Sequence, residues 1–285
     1  MISVIIPAHN EGAVIARSLE AITGGAAQGE LEVIVVCNGC TDDTAVVAGS
    51  FGPPVRVIVT DVPSKTNALN LGDQAANGST RAYVDADVVI ELDAIRLLAR
   101  RLEQGDVLAV APSPIFALTG CSWAVRAYYD IRSLLPAAQE GIGGSGVYAL
   151  SAVGRKRFGE FPNLTADDGY VRVHFQAHER ETVASAHSKV FPPQTINDLI
   201  VTKTRSHYGS LELARLHPVL WKNRGESNNK SLRRLFNSSK IWPKLTAYCL
   251  VTIIAKRRAQ GRLAAGTMKW DRDNTSRIAG PKIAS

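Results

Sequence analysis

The chain opens with short apolar runs separated by longer stretches whose apolar residues recur at helical spacing. The runs Ile2–Ile6, Leu31–Val36, Val55–Val59, Arg81–Val84 and Val107–Ala111 read as strands. Between them, Ala13–Ile22, Asp43–Ser50, Lys65–Ala76 and Leu92–Leu102 read as helices; in the first, Val14, Leu19 and Ile22 share one face. Thr41 is expected to cap the second helix, with Asp42 and Asp43 in a first turn where carboxylates suit the helix dipole. This alternation predicts an α/β chain with a mostly parallel, Rossmann-like sheet flanked by helices. Ligands of such sheets bind beyond the carboxyl ends of the strands. Pro7-Ala8-His9-Asn10-Glu11, Asn38-Gly39 and Asp85-Ala86-Asp87 all fall at such ends.

From 113 to 210 the pattern loosens. It holds a helical segment, Trp123–Leu135, a glycine-rich turn, Gly141–Gly146, a short strand, Val147–Leu150, and an acidic pair, Asp167-Asp168. Beyond 210, Ser231–Phe236 and Leu245–Ala255 read as apolar-containing helices among basic residues. The expected division is a domain over 1–210, with halves at 1–112 and 113–210, followed by a helical, basic extension over 211–285.

Charge changes the picture only at the end of the chain. The 285 residues carry a net +7, yet residues 222–262 alone hold eleven Lys/Arg against one acid, Glu226, so the remainder is slightly acidic. A basic tail on such a body suits an anionic surface. It lacks an aromatic-interleaved basic motif, so nucleic acid is not expected as the partner. The run Leu245–Ala255 is far shorter than the ~20 residues a spanning helix needs. No basic stretch precedes the first apolar run, so no secretory leader is expected. The expectation is a cytoplasmic protein whose tail either attaches peripherally to the inner membrane face or packs as a helix on the main domain. Cys37-Asn38-Gly39-Cys40 is a lone CxxC without a second pair at metal spacing, and reads as small side chains at a strand end.

Asp85 and Asp87 carry the sharpest chemical signal. Two acids at the end of a buried strand cost stability unless a cation accompanies them. A divalent metal that also carries a diphosphate is the natural candidate.

Read in order, Pro7–Glu11, Val35–Asp42, Ser64–Gly72, Tyr83–Asp87, Gly144-Ser145-Gly146 and Asp167-Asp168 resemble the motifs of family-2 glycosyltransferases of the GT-A fold. The resemblance covers about residues 2–210. It implies a nucleotide diphosphate sugar donor, with a UDP-sugar favoured, and a carbohydrate or lipid-linked acceptor. It implies donor contacts from Pro7, Ala8, Glu11, Asn38, Lys65, Asp85 and Arg205. Asn38 stands where many relatives carry an Asp. Mg²⁺ or Mn²⁺ would be held by Asp87, with His207 completing the shell. Asp168 would be the catalytic base of an inverting transfer. Gly144, Ser145, Gly146 and Asp167 would meet the acceptor. Trp270-Asp271-Arg272-Asp273 is similar to the ends of relatives linked to exopolysaccharide assembly. A sugar-phosphate nucleotidyltransferase would want a Gly-rich, basic signature after the first strand, and an NAD-dependent oxidoreductase a GxGxxG there; neither is present. A noncatalytic membrane-surface adaptor is the remaining alternative, and the intact Asp85, Asp87 and Asp168 argue against it.

Overall fold

The structure, a computed structural model, describes residues 1–138, 142–225, 231–232, 235 and 239–266. Gly141, Arg233, Arg234, Phe236 and the segment 270–273 lie outside the described residues.

Strands β1 (Ile2–Ala8), β2 (Leu31–Asn38), β3 (Val55–Thr60) and β4 (Thr80–Val84) are parallel neighbours in the order β3-β2-β1-β4. Helices α1 (Gly12–Thr23), α2 (Thr44–Gly49) and α3 (Lys65–Ala75) connect them. Alternate residues serve two cores. Val4, Ile6, Val33 and Val35 pack with Ile15, Leu19 and Ile22 of α1. Ile5 packs with Leu69 and Tyr83, and Ile34 and Val36 with Ala68, on the α3 side. Both faces are covered, which is why β1 and β2 read as continuous apolar runs rather than as alternation. Asp42 does not lie in a helical first turn as expected: α2 begins at Thr44, and the Asp42 carboxylate accepts from the backbone N–H of Thr44 and of Gly12, each at 3.1 Å. It therefore ties the start of α1 to the start of α2.

The rest of the sheet departs from simple alternation. After α4 (Leu92–Glu103) the order continues β4-β7-β6-β8-β5, with β5 at Val89–Ile90, β6 at Ala109–Phe116, β7 at Val147–Leu150 and β8 at Arg180–Val190. β7 is antiparallel to both β4 and β6, so the sheet is mixed. It arrives from the opposite end of the sheet after an excursion through α5 (Trp123–Ser133), a route that local periodicity does not encode.

Among the described residues, α6 (Ala152–Arg155), α7 (Asp167–Val173), α8 (Ile196–Leu216) and α9 (Trp242–Ala264) follow. Val125, Tyr128 and Ile131 of α5, Leu199 and Ile200 of α8, and Leu245, Tyr248 and Val251 of α9 form a separate core. The Tyr128 and Tyr248 rings stack at 4.9 Å. The boundary expected at 210 thus falls inside α8, and one face of the basic tail is core. The other face exposes Trp242, Leu250, Ile253 and Ile254, followed by Lys256, Arg257 and Arg258. Among the described residues no helix is long and apolar enough to cross a membrane.

Candidate active site

The carboxyl ends of β1 and β2 are locked to each other. Pro7 and Ala8 close β1 and are buried. Asn38 closes β2, also buried, and its Nδ2 donates to the carbonyl of Ala8 at 2.8 Å and, more weakly, to that of Val36 at 3.5 Å. The amide expected to face a base is therefore engaged with backbone. Asn10, held at φ +52°, accepts from the Thr41 N–H at 2.7 Å. Glu11 is 5% exposed and its backbone N–H donates to Thr44 Oγ1 at 2.8 Å. Cys37 and Cys40 are free thiols. Burial pushes the Cys37 thiol up to about 12, with Cys40 adding to the effect, so it is chemically quiet.

The acidic motifs converge on one lysine. Ser64 caps α3 by accepting from the Asn67 N–H, which sets Lys65 in the first turn beyond the sheet edge. Lys65 Nζ lies 2.7 Å from Asp85 Oδ1 and 3.0 Å from Asp167 Oδ1. Asp85 follows β4 directly, and its N–H donates to the Gly146 carbonyl at 2.8 Å. The far end of α3 is anchored by Asp73, which accepts from Tyr83 Oη at 2.9 Å and pairs with Arg81 and Arg155. Burial opposes the charge on Lys65, but Asp167, Asp85 and Asp168 outweigh it and hold its pKa above the ordinary value. Burial pushes the Asp167 carboxyl up; Lys65 opposes this, and Asp168 and Asp85 reinforce it. Asp168 is the more accessible of the pair, and its Oδ1 accepts from the Gly169 N–H at 2.7 Å.

Two side-chain cations flank the acids of the strand end. Asp85 turns to Lys65. Asp87 interacts electrostatically with Arg17, whose Nη2 donates to the Asp87 carbonyl at 3.1 Å and whose guanidinium lies 3.8 Å from the Phe191 ring centroid. Burial lowers the Arg17 pKa, while Asp87 and Glu11 oppose that shift.

Among the described residues no three His, Cys, Asp or Glu side chains converge as a metal-holding group. His207 belongs to no such group. It sits on α8, where burial, then Lys256 and Lys203, push its imidazole down to about 4. Asp87 remains as a single carboxylate at the strand end. That donor set fits a Mg²⁺-type ion only when substrate phosphates supply further oxygens, as such ions usually require.

The glycine-rich turn divides between packing and approach. Ser145 is 3% exposed, with its hydroxyl donating to the Val147 carbonyl at 2.7 Å and its carbonyl accepting from Ser188 Oγ at 2.9 Å. It faces inward rather than toward an acceptor. Gly146, at φ +67°, lies over the acid end of β4: a Cβ there would be 3.3 Å from Asp85 Oδ2 and would collide with Val88. Gly144, at φ +82°, lies against the Arg132 guanidinium, which a side chain would displace. Arg205 is on α8, electrostatically coupled to Lys203.

Three neighbours of these groups carried no motif. Tyr148 stacks on Tyr83 at 4.8 Å, and its buried hydroxyl has no hydrogen-bond partner although Asp167, Asp168 and Asp85 act on it. Its place in a recognisable strand beside the glycine turn was the only available signal. Arg132 and Lys203 lie on helices whose sequences read as ordinary amphipathic segments.

A mixed sheet whose parallel half is covered by helices, with acids at the end of β4, defines a GT-A-type fold. The family model for glycosyl transferase family 2 matches residues 3–148, about half of the chain. The chain belongs to that family. A 4,4'-diaponeurosporenoate glycosyltransferase of Staphylococcus aureus (strain MRSA252) is 36% identical over 119 residues, 39% of this chain and 31% of the relative. A Bacillus subtilis protein described as probable glycosyltransferase YdaM is 33% identical over 105 residues, 34% of this chain and 25% of the relative. The matched region spans only a quarter to a third of those relatives' length. Among solved structures, the mannosyltransferase PcManGT from Pyrobaculum calidifontis, in complex with GDP-Man and Mn²⁺, superposes with a TM-score of 0.60 at 19% identity, covering 94% of this chain and 76% of that one. Glucosyl-3-phosphoglycerate synthase from Mycobacterium tuberculosis, with Mn²⁺, UDP and phosphoglyceric acid, gives 0.53 at 20% identity, covering 76% and 78%. At these identities the likeness is one of fold.

Proposed function

We propose that this chain is an inverting, metal-assisted glycosyltransferase that moves a sugar from a nucleotide diphosphate sugar to a hydroxyl acceptor. The observation that carries the reading is the Lys65 ammonium shared between Asp85 and Asp167. It joins the strand end of the donor half to the first turn of α7, where Asp168 sits accessible beside the buried Asp167. Asp168 acts as general base. The acceptor oxygen forms its bond to the anomeric carbon as its proton passes to the Asp168 carboxylate. The bond from that carbon to the donor phosphate oxygen breaks, and the nucleoside diphosphate leaves with the electron pair. Attack from the face opposite the leaving group inverts the centre.

Pro7, Ala8 and Glu11 line the nucleoside end, with Asn38 shaping it through its clamp on Ala8. Asp87 would hold Mg²⁺ or Mn²⁺, which supplies neutralising charge to the diphosphate. The structural neighbours carrying Mn²⁺ and a nucleotide or nucleotide sugar support that choice by analogy of fold. The exposed stripe of α9, apolar at Trp242, Leu250, Ile253 and Ile254 and basic at Lys256, Arg257 and Arg258, supports peripheral attachment to an anionic membrane. A lipid-linked acceptor would be met there.

The test is a panel of UDP-, GDP- and dTDP-sugars with Mn²⁺ or Mg²⁺, with and without membrane extract, scored for nucleotide release. Metal-dependent release from one donor class, led by UDP, is expected. No release from any donor contradicts the reading.

A further inference from the structure

A second charged cluster lies on the other side of the glycine turn from the acids. Gly146 touches Asp85, while Gly144, two residues earlier, touches the Arg132 guanidinium. Arg132 ends α5. Lys203, on α8, feels both Arg132 and Arg205 and lies 5.5 and 5.4 Å from the Tyr128 and Tyr129 ring centroids. Like charges gathered in a partly desolvated place repel one another and need an anion. Among the described residues neither Arg132 nor Lys203 makes an ion pair, and Arg132 Nε is buried without a hydrogen-bond partner. Both remain partly exposed, so water and solutes reach them. Burial and these neighbouring cations hold the Lys203 ammonium down at about 7, the state of a group that gains its proton when an anion arrives.

An apolar cavity adjoins the cluster. It has a volume of about 340 Å³ and is lined by Pro114, Phe116, Ala138 and Ala184, with Ser113, Ser133 and Thr182 at its polar positions. Phe116 belongs to both places: its ring centroid is 5.8 Å from the Arg132 guanidinium carbon. Ser133 is the next residue along α5 from Arg132. Cations beside an apolar hollow suit a phosphate ester with an apolar or compact organic part. All of these residues belong to the half of the chain beyond β4 and α4, whereas the nucleoside end is built from β1 and β2.

We propose that Arg132 and Lys203 form a binding site for a phosphate or diphosphate carried by the acceptor, so that the enzyme glycosylates a phosphorylated substrate. This deepens the function proposed above and rests on it. The source of the anion is either a lipid phosphate, whose chain enters the cavity lined by Phe116, or a soluble phosphate ester.

The experiment is isothermal titration of the full chain, in EDTA, with two probes: inorganic pyrophosphate and n-decyl phosphate below its micellar concentration. Binding of at least one probe is expected, weakened at least tenfold in Arg132→Gln and in Lys203→Met and retained within about threefold in Arg132→Lys, with unchanged melting temperatures as the folding check. Charge-assisted hydrogen bonds of this kind are each worth enough for such a loss. Tighter binding of decyl phosphate supports the lipid source; equal binding supports the soluble one. Loss of binding in Asp87→Asn, or one-for-one displacement by UDP, assigns the anion to the donor and overturns the proposal. Affinities within twofold of wild type in both Arg132→Gln and Lys203→Met also overturn it. Nucleotide release by the wild-type chain is measured separately, so release without probe binding defeats this inference alone.

Discussion

Lys65 Nζ lies 3.0 Å from Asp167 Oδ1, joining the first turn of α3 to the first turn of α7. The same ammonium is 2.7 Å from Asp85. One cation therefore compensates acids that stand far apart along the chain.

Replacing Lys65 leaves Asp167 buried without its compensating charge. Breaking a buried pair costs about 3–5 kcal/mol, and less where water still reaches one partner. Lys65→Met is expected to lower stability by about 2–3 kcal/mol and to abolish nucleotide release, read by urea unfolding and by the release assay. A variant as stable and active as wild type would falsify the organising role of Lys65.

Asp167 has a pH signature. Its folded pKa is raised from the ordinary 3.8 to about 6, chiefly by burial. The native state thus holds this proton more tightly than the unfolded chain does. The stability it contributes is complete below the ordinary carboxylate value and is lost as pH rises through about 6. Chemical denaturation of wild type and Asp167→Asn between these pH values is expected to show wild type losing ground to the variant as pH rises. A difference that is flat, or that grows in favour of wild type, contradicts the assignment.

Tyr148 carries a buried hydroxyl without a hydrogen-bond partner beside three carboxylates. Removing an unsatisfied polar atom without leaving another one unpaired is neutral or stabilising by up to about 1 kcal/mol. Tyr148→Phe is expected to melt at or above the wild-type temperature while nucleotide release falls roughly tenfold, the cost of one hydrogen bond made only with substrate. A lowered melting temperature argues instead for a structural role.

The α9 stripe is testable without deleting the helix, whose other face is core. Each basic residue near an anionic surface contributes about 1 kcal/mol, roughly fivefold in affinity. Arg257→Ser/Arg258→Ser is expected to weaken co-sedimentation with phosphatidylserine vesicles by about 20-fold, and Leu250→Ser/Ile253→Ser to weaken it independently. Vesicle binding unchanged in both double variants contradicts membrane attachment through this face.

Much of this was legible in the chain because it is local. The strands from β1 to β4 announce themselves as apolar runs, since two covered faces leave little room for polar residues. Pro7–Glu11, Asp85, Asp87 and Asp168 stand at the ends of elements, where polar residues interrupt the apolar runs. What pairs with what was hidden. Nothing around Lys65 says that it reaches Asp85 and Asp167 rather than a ligand, because that contact depends on where α7 docks. Asn38 looked available to a base, yet its amide is taken by the Ala8 carbonyl once β1 and β2 align. Ser145 belonged to an open-looking turn but points inward. That Lys256 of α9 acts on His207 follows from how α9 packs on α8, which no local pattern records. Arg132 and Lys203 meet only through the packing of α5 on α8, which no short motif records.

The central claim is that Asp168 is the base at the Lys65-centred acid cluster. The direct measurement compares wild type and Asp168→Asn for Mn²⁺-dependent donor binding by calorimetry and for nucleotide release. Binding within about threefold of wild type, with release slowed by about 10²–10⁴, is expected for the loss of a general base. Release near the wild-type rate in Asp168→Asn contradicts the account.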